Sequence, residues 1–183
     1  EQILTFGTDE QKKRWLPRIA RGEAIGAVCI TEPFVGSDAA GVETTANKED
    51  GHYILNGKKR FITNAGLADI YVVYAKTSEK PESKSKYQHL TAFLVEKGAS
   101  GFSVEKVNEL SGWFGLPNGF LDFEETRVPS ENIIGKEGEG WKVMMAGLNF
   151  ERVVYSSAML GPVRESIRYA VAYAQRRLQF GKP

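Results

Sequence analysis

Cys29-Ile30-Thr31-Glu32-Pro33-Phe34-Val35-Gly36-Ser37-Asp38-Ala39-Ala40-Gly41 is the stretch on which the reading of this chain turns. An apolar strand ends in a hydroxyl, a carboxylate and a proline, and a Gly-Ser-Asp turn follows at once. Such a segment presents backbone N–H groups and small hydroxyls to a ligand that must come close, because glycine permits an approach that a Cβ would block. The plainer reading is an ordinary strand-to-turn connection in which Glu32 and Asp38 satisfy local N–H groups. On composition alone the plainer reading is favoured, because short Gly/Ser turns are common.

Before this stretch, residues 8–21 read as a helix. Thr8 suits the N-cap, Asp9 and Glu10 sit at the dipole-positive end, and Trp15, Leu16 and Ile19 form an apolar stripe. Pro17 predicts a break or kink. After it, from Ile25 to about Val128, the pattern is short strands: Ala27–Ile30, Tyr53–Leu55, Arg60–Thr63, Ile70–Ala75, Thr91–Val95, Phe102–Glu105 and Gly119–Phe123. Asp50-Gly51 and Asn56-Gly57 are strong turn dipeptides. This density of strands without intervening helices argues for an antiparallel sandwich or barrel. Residues 78–88 are polar and predict a mobile surface loop. Beyond Val128-Pro129 the pattern is helical; residues 139–179 would reach about 60 Å if unbroken. Gly161-Pro162 is a candidate interruption. So long a helix requires helical partners, from further chain or from other subunits.

The chain has 183 residues, with 24 Lys plus Arg against 23 Asp plus Glu. That balance gives no electrostatic case for a nucleic acid or an anionic membrane. One cysteine excludes an intrachain disulfide, and Cys29 in an apolar run reads as a small buried hydrophobe. With His52 and His89 as the two histidines there is no ligand set for zinc or another metal. No apolar run approaches the ~20 residues that cross a bilayer, and no signal peptide is visible. The expected setting is a soluble intracellular one. The chain starts at Glu1 without an initiator Met and stops at Pro183 beside a helical pattern, so it is expected to be a piece of a longer protein.

Three further motifs carry candidate chemistry. Asn56-Gly57-Lys58-Lys59-Arg60-Phe61-Ile62-Thr63-Asn64 reads as a hairpin turn feeding a strand that sets Phe61 and Thr63 on one face. An aromatic two residues from a hydroxyl suits a planar ring system; a core Phe and a cross-strand Thr fit equally well. Lys58, Lys59 and Arg60 read by default as a solvated face. Leu148-Asn149-Phe150-Glu151-Arg152 places Leu148, Glu151 and Arg152 on one helix face. Glu151 is a candidate general base if desolvated; a structural ion pair, Arg152 neutralising Glu151 or another acid, is the favoured alternative for this motif alone. In Arg177-Leu178-Gln179-Phe180-Gly181, Arg177 and Phe180 share a helix face and Gly181 ends the helix. An Arg beside an aromatic suits a nucleotide, though basic residues at a helix C-terminus also simply complement the dipole.

Together and in this order, these motifs resemble the acyl-CoA dehydrogenases, flavoenzymes that desaturate acyl-CoA thioesters. Phe6-Gly7-Thr8-Asp9-Glu10-Gln11-Lys12-Lys13 with Trp15-Leu16-Pro17 resembles the end of the family's N-terminal helical domain. Residues 29–41 resemble its first signature, and Val128-Pro129-Ser130-Glu131-Asn132-Ile133-Ile134-Gly135 the exit from its β domain. The resemblance covers essentially the whole chain. It implies an α+β fold with an antiparallel β-sandwich or barrel middle domain flanked by helices. The implied divisions are residues 1–24, the end of an N-terminal helical domain; 25–134, the β domain; and 135–183, the start of a C-terminal helical domain.

The resemblance also implies roles. The cofactor is FAD. Thr31, with the Ile30 backbone, meets its pyrimidine edge, Phe61 packs on the isoalloxazine, and Thr63 bonds near N5. Gly36 and Ser37 line the acyl-CoA channel, and Asn149 and Arg152 shape the CoA and acyl pocket. Arg177, Gln179 and Phe180 contact the FAD of a neighbouring subunit, so a homo-oligomer (dimer or tetramer) is required. Most members place the catalytic Glu beyond the equivalent of this chain's end. The isovaleryl-CoA and long-chain branches place it directly before the Arg, where Glu151 stands. Glu151 would take the α-proton while the β-hydrogen leaves as hydride, giving a trans-2-enoyl-CoA. Electron-transfer flavoprotein or a similar acceptor is the implied partner, and the cytoplasm, or the mitochondrial matrix in a eukaryote, the implied location. Val35 departs from the small residue usual before Gly-Ser-Asp, and Phe61 from the usual Trp. The isolated piece is expected to be inactive and to lose FAD. An acyl-CoA oxidase-type flavoenzyme and a noncatalytic β-sandwich interaction module are the alternatives.

Overall fold

The computed structural model describes residues 1–78 and 87–183. The expected loop at 78–88 therefore lies largely outside the described residues. The chain divides into two compact units, Glu1–Met145 and Ala146–Pro183.

The first unit opens with α1 (Gln2–Phe6) and α2 (Asp9–Ala20). Thr8 caps α2 as its sequence predicts: its side chain accepts from the Gln11 N–H, and the Gln11 side chain accepts from the Thr8 N–H in return. The Gln11 amide also donates to the Glu131 and Ile133 carbonyls at 2.8 and 2.9 Å, fastening the helix to the far end of the strand region. The buried residues of α2 are Gln11 and Trp15, one turn apart, whereas Ile19 is exposed. Pro17 does not break α2. It sits in the last turn, where its missing N–H frees one carbonyl on the exposed Lys13 that water can satisfy.

Among the described residues eight strands follow: β1 (Gly26–Cys29), β2 (Thr45–Glu49), β3 (His52–Thr63), β4 (Ile70–Lys76), β5 (Leu90–Glu96), β6 (Phe102–Val107), β7 (Asn118–Pro129) and β8 (Ile133–Ile134). They form one sheet in the order β6-β7-β3-β2-β4-β5-β8, with β1 also on β4. Most neighbours are antiparallel, but β1 and β2 both run parallel to β4. The strands expected at 53–55 and 60–63 are one strand. Asp50-Gly51 makes the expected hairpin between β2 and β3, with both residues in the left-handed region. Asn56-Gly57 does not turn. Pairing with β7 carries β3 straight through it, and the Asn56 side chain clamps Glu125 on β7 from both its amide ends. Gly57 is required for another reason: a Cβ there would lie 2.5 Å from the Thr44 hydroxyl.

Tyr53, Leu55, Tyr71, Phe93, Leu121 and Phe123 are fully buried and pack as one cluster. At about 1.5–3 kcal/mol for each large apolar side chain removed from water, this cluster is the main attraction holding the strands together.

Helix α3 (Gly140–Ala174) begins in the first unit, where Val143 and Met144 are buried. Its 35 residues span about 52 Å, and it ends five residues before the expected limit of 179. Gly161-Pro162 does not interrupt it; Pro162 is exposed, so the carbonyl it leaves unbonded faces water. Within the second unit Val153, Tyr155, Leu160, Val163, Ile167 and Tyr169 are all exposed.

Candidate functional site

The edge of β4 is shared by two strands. β1 pairs with Ile70 through Val73, and β2 joins only at Lys76. Between them the chain leaves the sheet as the Ile30–Thr44 excursion, which carries the motif at 29–41. A tight turn closes Glu32 onto Val35 through two backbone hydrogen bonds, and a 3-10 helix follows at Ala39–Gly41. His89, buried, bonds the Ala40 carbonyl at 2.9 Å and pins that helix. Gly36, Ser37 and Phe34 are exposed.

The gap in the β4 edge is filled by an ion pair. Lys59 Nζ lies 2.7 Å from Glu32 Oε1, and the two side chains are 0% and 1% exposed. The ammonium also donates to the Tyr74 carbonyl at 2.6 Å and the Ile30 carbonyl at 3.2 Å. The carboxylate accepts from the Glu43 N–H at 2.6 Å, the Thr44 N–H at 3.1 Å and the Thr44 hydroxyl at 2.5 Å. The expectation that Lys59 joins a solvated face is thus overturned, because strand alternation turns it inward. Lys58 does face solvent, between Glu105 and Asp122. Glu32 satisfies local N–H groups, as the plainer reading of its motif expected.

Burial pushes the Glu32 carboxyl up, but the Lys59 charge, its hydrogen bond, the Thr44 hydroxyl and the Glu43 N–H outweigh it and hold the group below the usual carboxylate range. Burial draws the Lys59 ammonium below its ordinary value, with Glu32 pulling the other way. A folded carboxyl value below the unfolded one contributes stability that is present above about pH 4.3 and lost as pH falls through the folded value. A Glu32→Gln variant is therefore expected to lose stability less steeply between about pH 5 and pH 3, its slope with pH smaller by up to about one proton. Parallel curves for variant and unaltered protein would remove Glu32 as the source.

Directly after Lys59, β3 carries a bulge. Lys59 pairs with Leu121 and Ile62 with Gly119, so Arg60 and Phe61 together oppose Phe120. Phe61 takes φ of +57° and is 53% exposed. A left-handed aromatic costs about 1–3 kcal/mol and persists only where its surroundings enforce it. Here Asn118 Nδ2 donates to the Phe61 carbonyl at 2.9 Å, and the Arg60 N–H donates to the Thr31 carbonyl at 2.8 Å. The Arg60 guanidinium lies over both the Phe61 and Phe120 rings, and its Nε is buried without a hydrogen-bond partner among the described residues. Asn64 Nδ2 reaches the Gly26 carbonyl at 3.1 Å, drawing the end of β3 onto β1. The structure therefore joins Ile30 and Thr31 to Lys59 and Arg60, the two residues directly before Phe61, with Thr63 exposed at the end of the same strand. Sequence reasoning missed Lys59 and Arg60; the signal was the register Leu55-x-Gly57-x-Lys59, which points lysine inward.

In the second unit Asn149, Glu151 and Arg152 are exposed on α3. Arg152 Nη1 donates to Asn149 Oδ1 at 2.8 Å, one turn back. Among the described residues the ion pairs do not include Glu151 with Arg152. Arg177, Gln179 and Phe180 are not on the helix, contrary to expectation. After Ala174 the chain forms a small hairpin in which Gln179 and Lys182 bond reciprocally. Phe180 and Gly181 form its left-handed tip, and Phe180 is fully exposed. Cys29 is buried and its thiol is pushed up to about 12, so it is not a nucleophile. Among the described residues no group of His, Cys, Asp or Glu is arranged to hold a metal.

The acyl-CoA dehydrogenase middle domain matches residues 27–126, with the family's N-terminal domain matching 1–23 and its C-terminal domain 138–183. The chain belongs to the acyl-CoA dehydrogenase family. An acyl-CoA dehydrogenase of Bacillus subtilis (strain 168) is 42% identical over 181 residues, covering 99% of this chain and 47% of its own length. A mitochondrial isovaleryl-CoA dehydrogenase of Arabidopsis thaliana is 42% identical over 182 residues, covering 100% of this chain and 44% of its own. Among solved structures, an FAD complex of PigA superposes with a TM-score of 0.92 at 35% identity, over 99% of this chain and 46% of that one. The chain spans a little under half the length of the relatives it matches. Among the described residues, no helix is long and apolar enough to cross a membrane.

Proposed function

We propose that this chain is part of an enzyme that dehydrogenates an acyl-CoA thioester to the trans-2-enoyl-CoA with FAD as cofactor. The observation that carries the reading is the joined platform in the first unit. An exposed aromatic is held in a costly conformation and tied by its neighbour's N–H to Thr31, the residue that leads into the Glu32–Val35 turn. The ring packs against Phe120 and under the Arg60 guanidinium on one side and stays half-exposed, an arrangement that suits a ligand face. The unpartnered Arg60 Nε beside the ring fits the same use. When bound, FAD supplies the acceptor for a hydride from the substrate's β-carbon.

The chain's own residues have the following parts in this reading. The Thr31 hydroxyl and the Ile30 backbone hold the pyrimidine edge, where negative charge collects on reduction. Phe61 packs on the ring and Thr63 bonds near its N5. The Gly36 backbone and Ser37 hold the pantetheine arm, and Asn149 and Arg152, already bonded to each other, shape the CoA and acyl pocket. The Glu151 carboxylate removes the α-proton. Arg177, Gln179 and Phe180 meet the FAD of a neighbouring subunit, so the enzyme is a homo-oligomer; the exposed apolar residues of α3 support further helical partners. The division at 1–24, 25–134 and 135–183 is supported by the three family matches. The electrons pass on to electron-transfer flavoprotein or a similar acceptor, in the cytoplasm or, in a eukaryote, the mitochondrial matrix.

The full-length protein, purified with FAD, is expected to lose its visible flavin absorbance when acyl-CoA thioesters of graded length and branching are added without oxygen. A flavin that no such thioester bleaches would contradict the reading. Rapid return of colour on admitting oxygen would move the enzyme to the oxidase class.

A further inference from the structure

The buried pair Glu32–Lys59 makes more bonds than a space-filling plug needs. Its polar partners are the Ile30 and Tyr74 carbonyls, the Glu43 and Thr44 N–H groups and the Thr44 hydroxyl. Replacing a buried pair with apolar side chains is often neutral or stabilising. Here apolar side chains would strip those five groups of their partners, the Thr44 hydroxyl and N–H and the Tyr74 carbonyl in buried surroundings. The pair also joins particular places. Ile30 begins the excursion and Thr44 ends it, Tyr74 lies in the β4 gap, and Lys59 immediately precedes the bulge that aims Phe61. With the Arg60 N–H to Thr31 carbonyl bond, the turn and the ring are fixed to each other at two consecutive residues of β3.

We propose that the Glu32–Lys59 pair is a positioning device for the flavin platform, setting Thr31 against Phe61 so that both meet one planar ring. The inference rests on the cofactor reading above. Neither side chain touches the ligand; they act through the backbone of Ile30 and through the bulge. Gly57 belongs to the same device, because only a residue without a Cβ lets Thr44 reach the carboxylate at this point.

The test uses the full-length protein, its FAD removed and then titrated back. The double variant Lys59→Met/Glu32→Gln removes both charges but keeps a side-chain carbonyl for the Glu43 and Thr44 N–H groups. It is expected to weaken FAD binding by about tenfold or more and to shift the absorption and circular dichroism of the bound flavin. Val95→Ala, a core truncation on β5, serves as the comparator. It is expected to lower the denaturation midpoint while changing FAD affinity by less than about threefold. Should the double variant fail to accumulate, Glu32→Asp, which keeps both charges but draws the carboxylate back by one methylene, carries the same readouts. Unchanged affinity and spectra in the pair variants, or equal losses in the comparator, would overturn the positioning role. Failure of the unaltered protein to take up FAD would instead overturn the cofactor reading and this proposal with it.

Discussion

Glu151→Gln in the full-length protein is expected to slow flavin bleaching by acyl-CoA by about 10²–10⁴-fold, the usual worth of a positioned general base. FAD content and the denaturation midpoint should stay as in the unaltered protein. Glutamine has nearly the same shape and volume as glutamate but cannot accept the α-proton, so the change removes the base while keeping the side chain's size. Arg152 is turned to Asn149 at 2.8 Å, so removing the Glu151 charge breaks no ion pair with its neighbour. A structural carboxylate predicts the opposite pattern, with a lowered midpoint and an unchanged rate. Anaerobic single-turnover absorbance separates the two, and a parental rate in the variant would remove Glu151 from the reaction.

Lys59→Met is expected to cost about 3–5 kcal/mol of stability, the range for removing one partner of a buried ion pair. Methionine fills the volume, so the loss comes from the carboxylate left behind. Glu32 would stay desolvated among its N–H donors with no cation, and the Ile30 and Tyr74 carbonyls would lose their donor. Adding Glu32→Gln to Lys59→Met should recover much of the loss, because the amide no longer needs a counter-charge. Midpoints of the single and double variants in urea measure this. A single variant as stable as the unaltered protein would mean that the pair is not coupled as its 2.7 Å distance indicates.

The parts of the fold written in short-range chemistry were legible from sequence. Thr8 and Gln11 announce their capping box, Asp50-Gly51 its hairpin, and the apolar runs at 70–75 and 91–95 their buried strands. The parts decided by long-range pairing were not. Asn56-Gly57 carries turn chemistry, but two strands of twelve residues outweigh it. Thr45–Glu49 shows one buried apolar residue, Ala46, and its strand exists because Asp50-Gly51 folds it onto β3. The parallel seating of β1 on β4 depends on where the excursion returns, which no local pattern encodes. At the site, Thr31, Phe61 and Thr63 stood out through their types and spacing. Lys59 was hidden by its basic neighbours, although alternation from Leu55 points it inward. The helical reading of 177–180 failed because Gly181 supports a hairpin tip as readily as a helix end.

The account depends on Thr31 and Phe61 forming one flavin-binding platform, and a crystal structure of the full-length protein with FAD tests this most directly. The predicted result is an isoalloxazine ring against Phe61, with the Thr31 and Thr63 hydroxyls within about 3.2 Å of its polar edge. A ring seated elsewhere, with both hydroxyls in water, would contradict it.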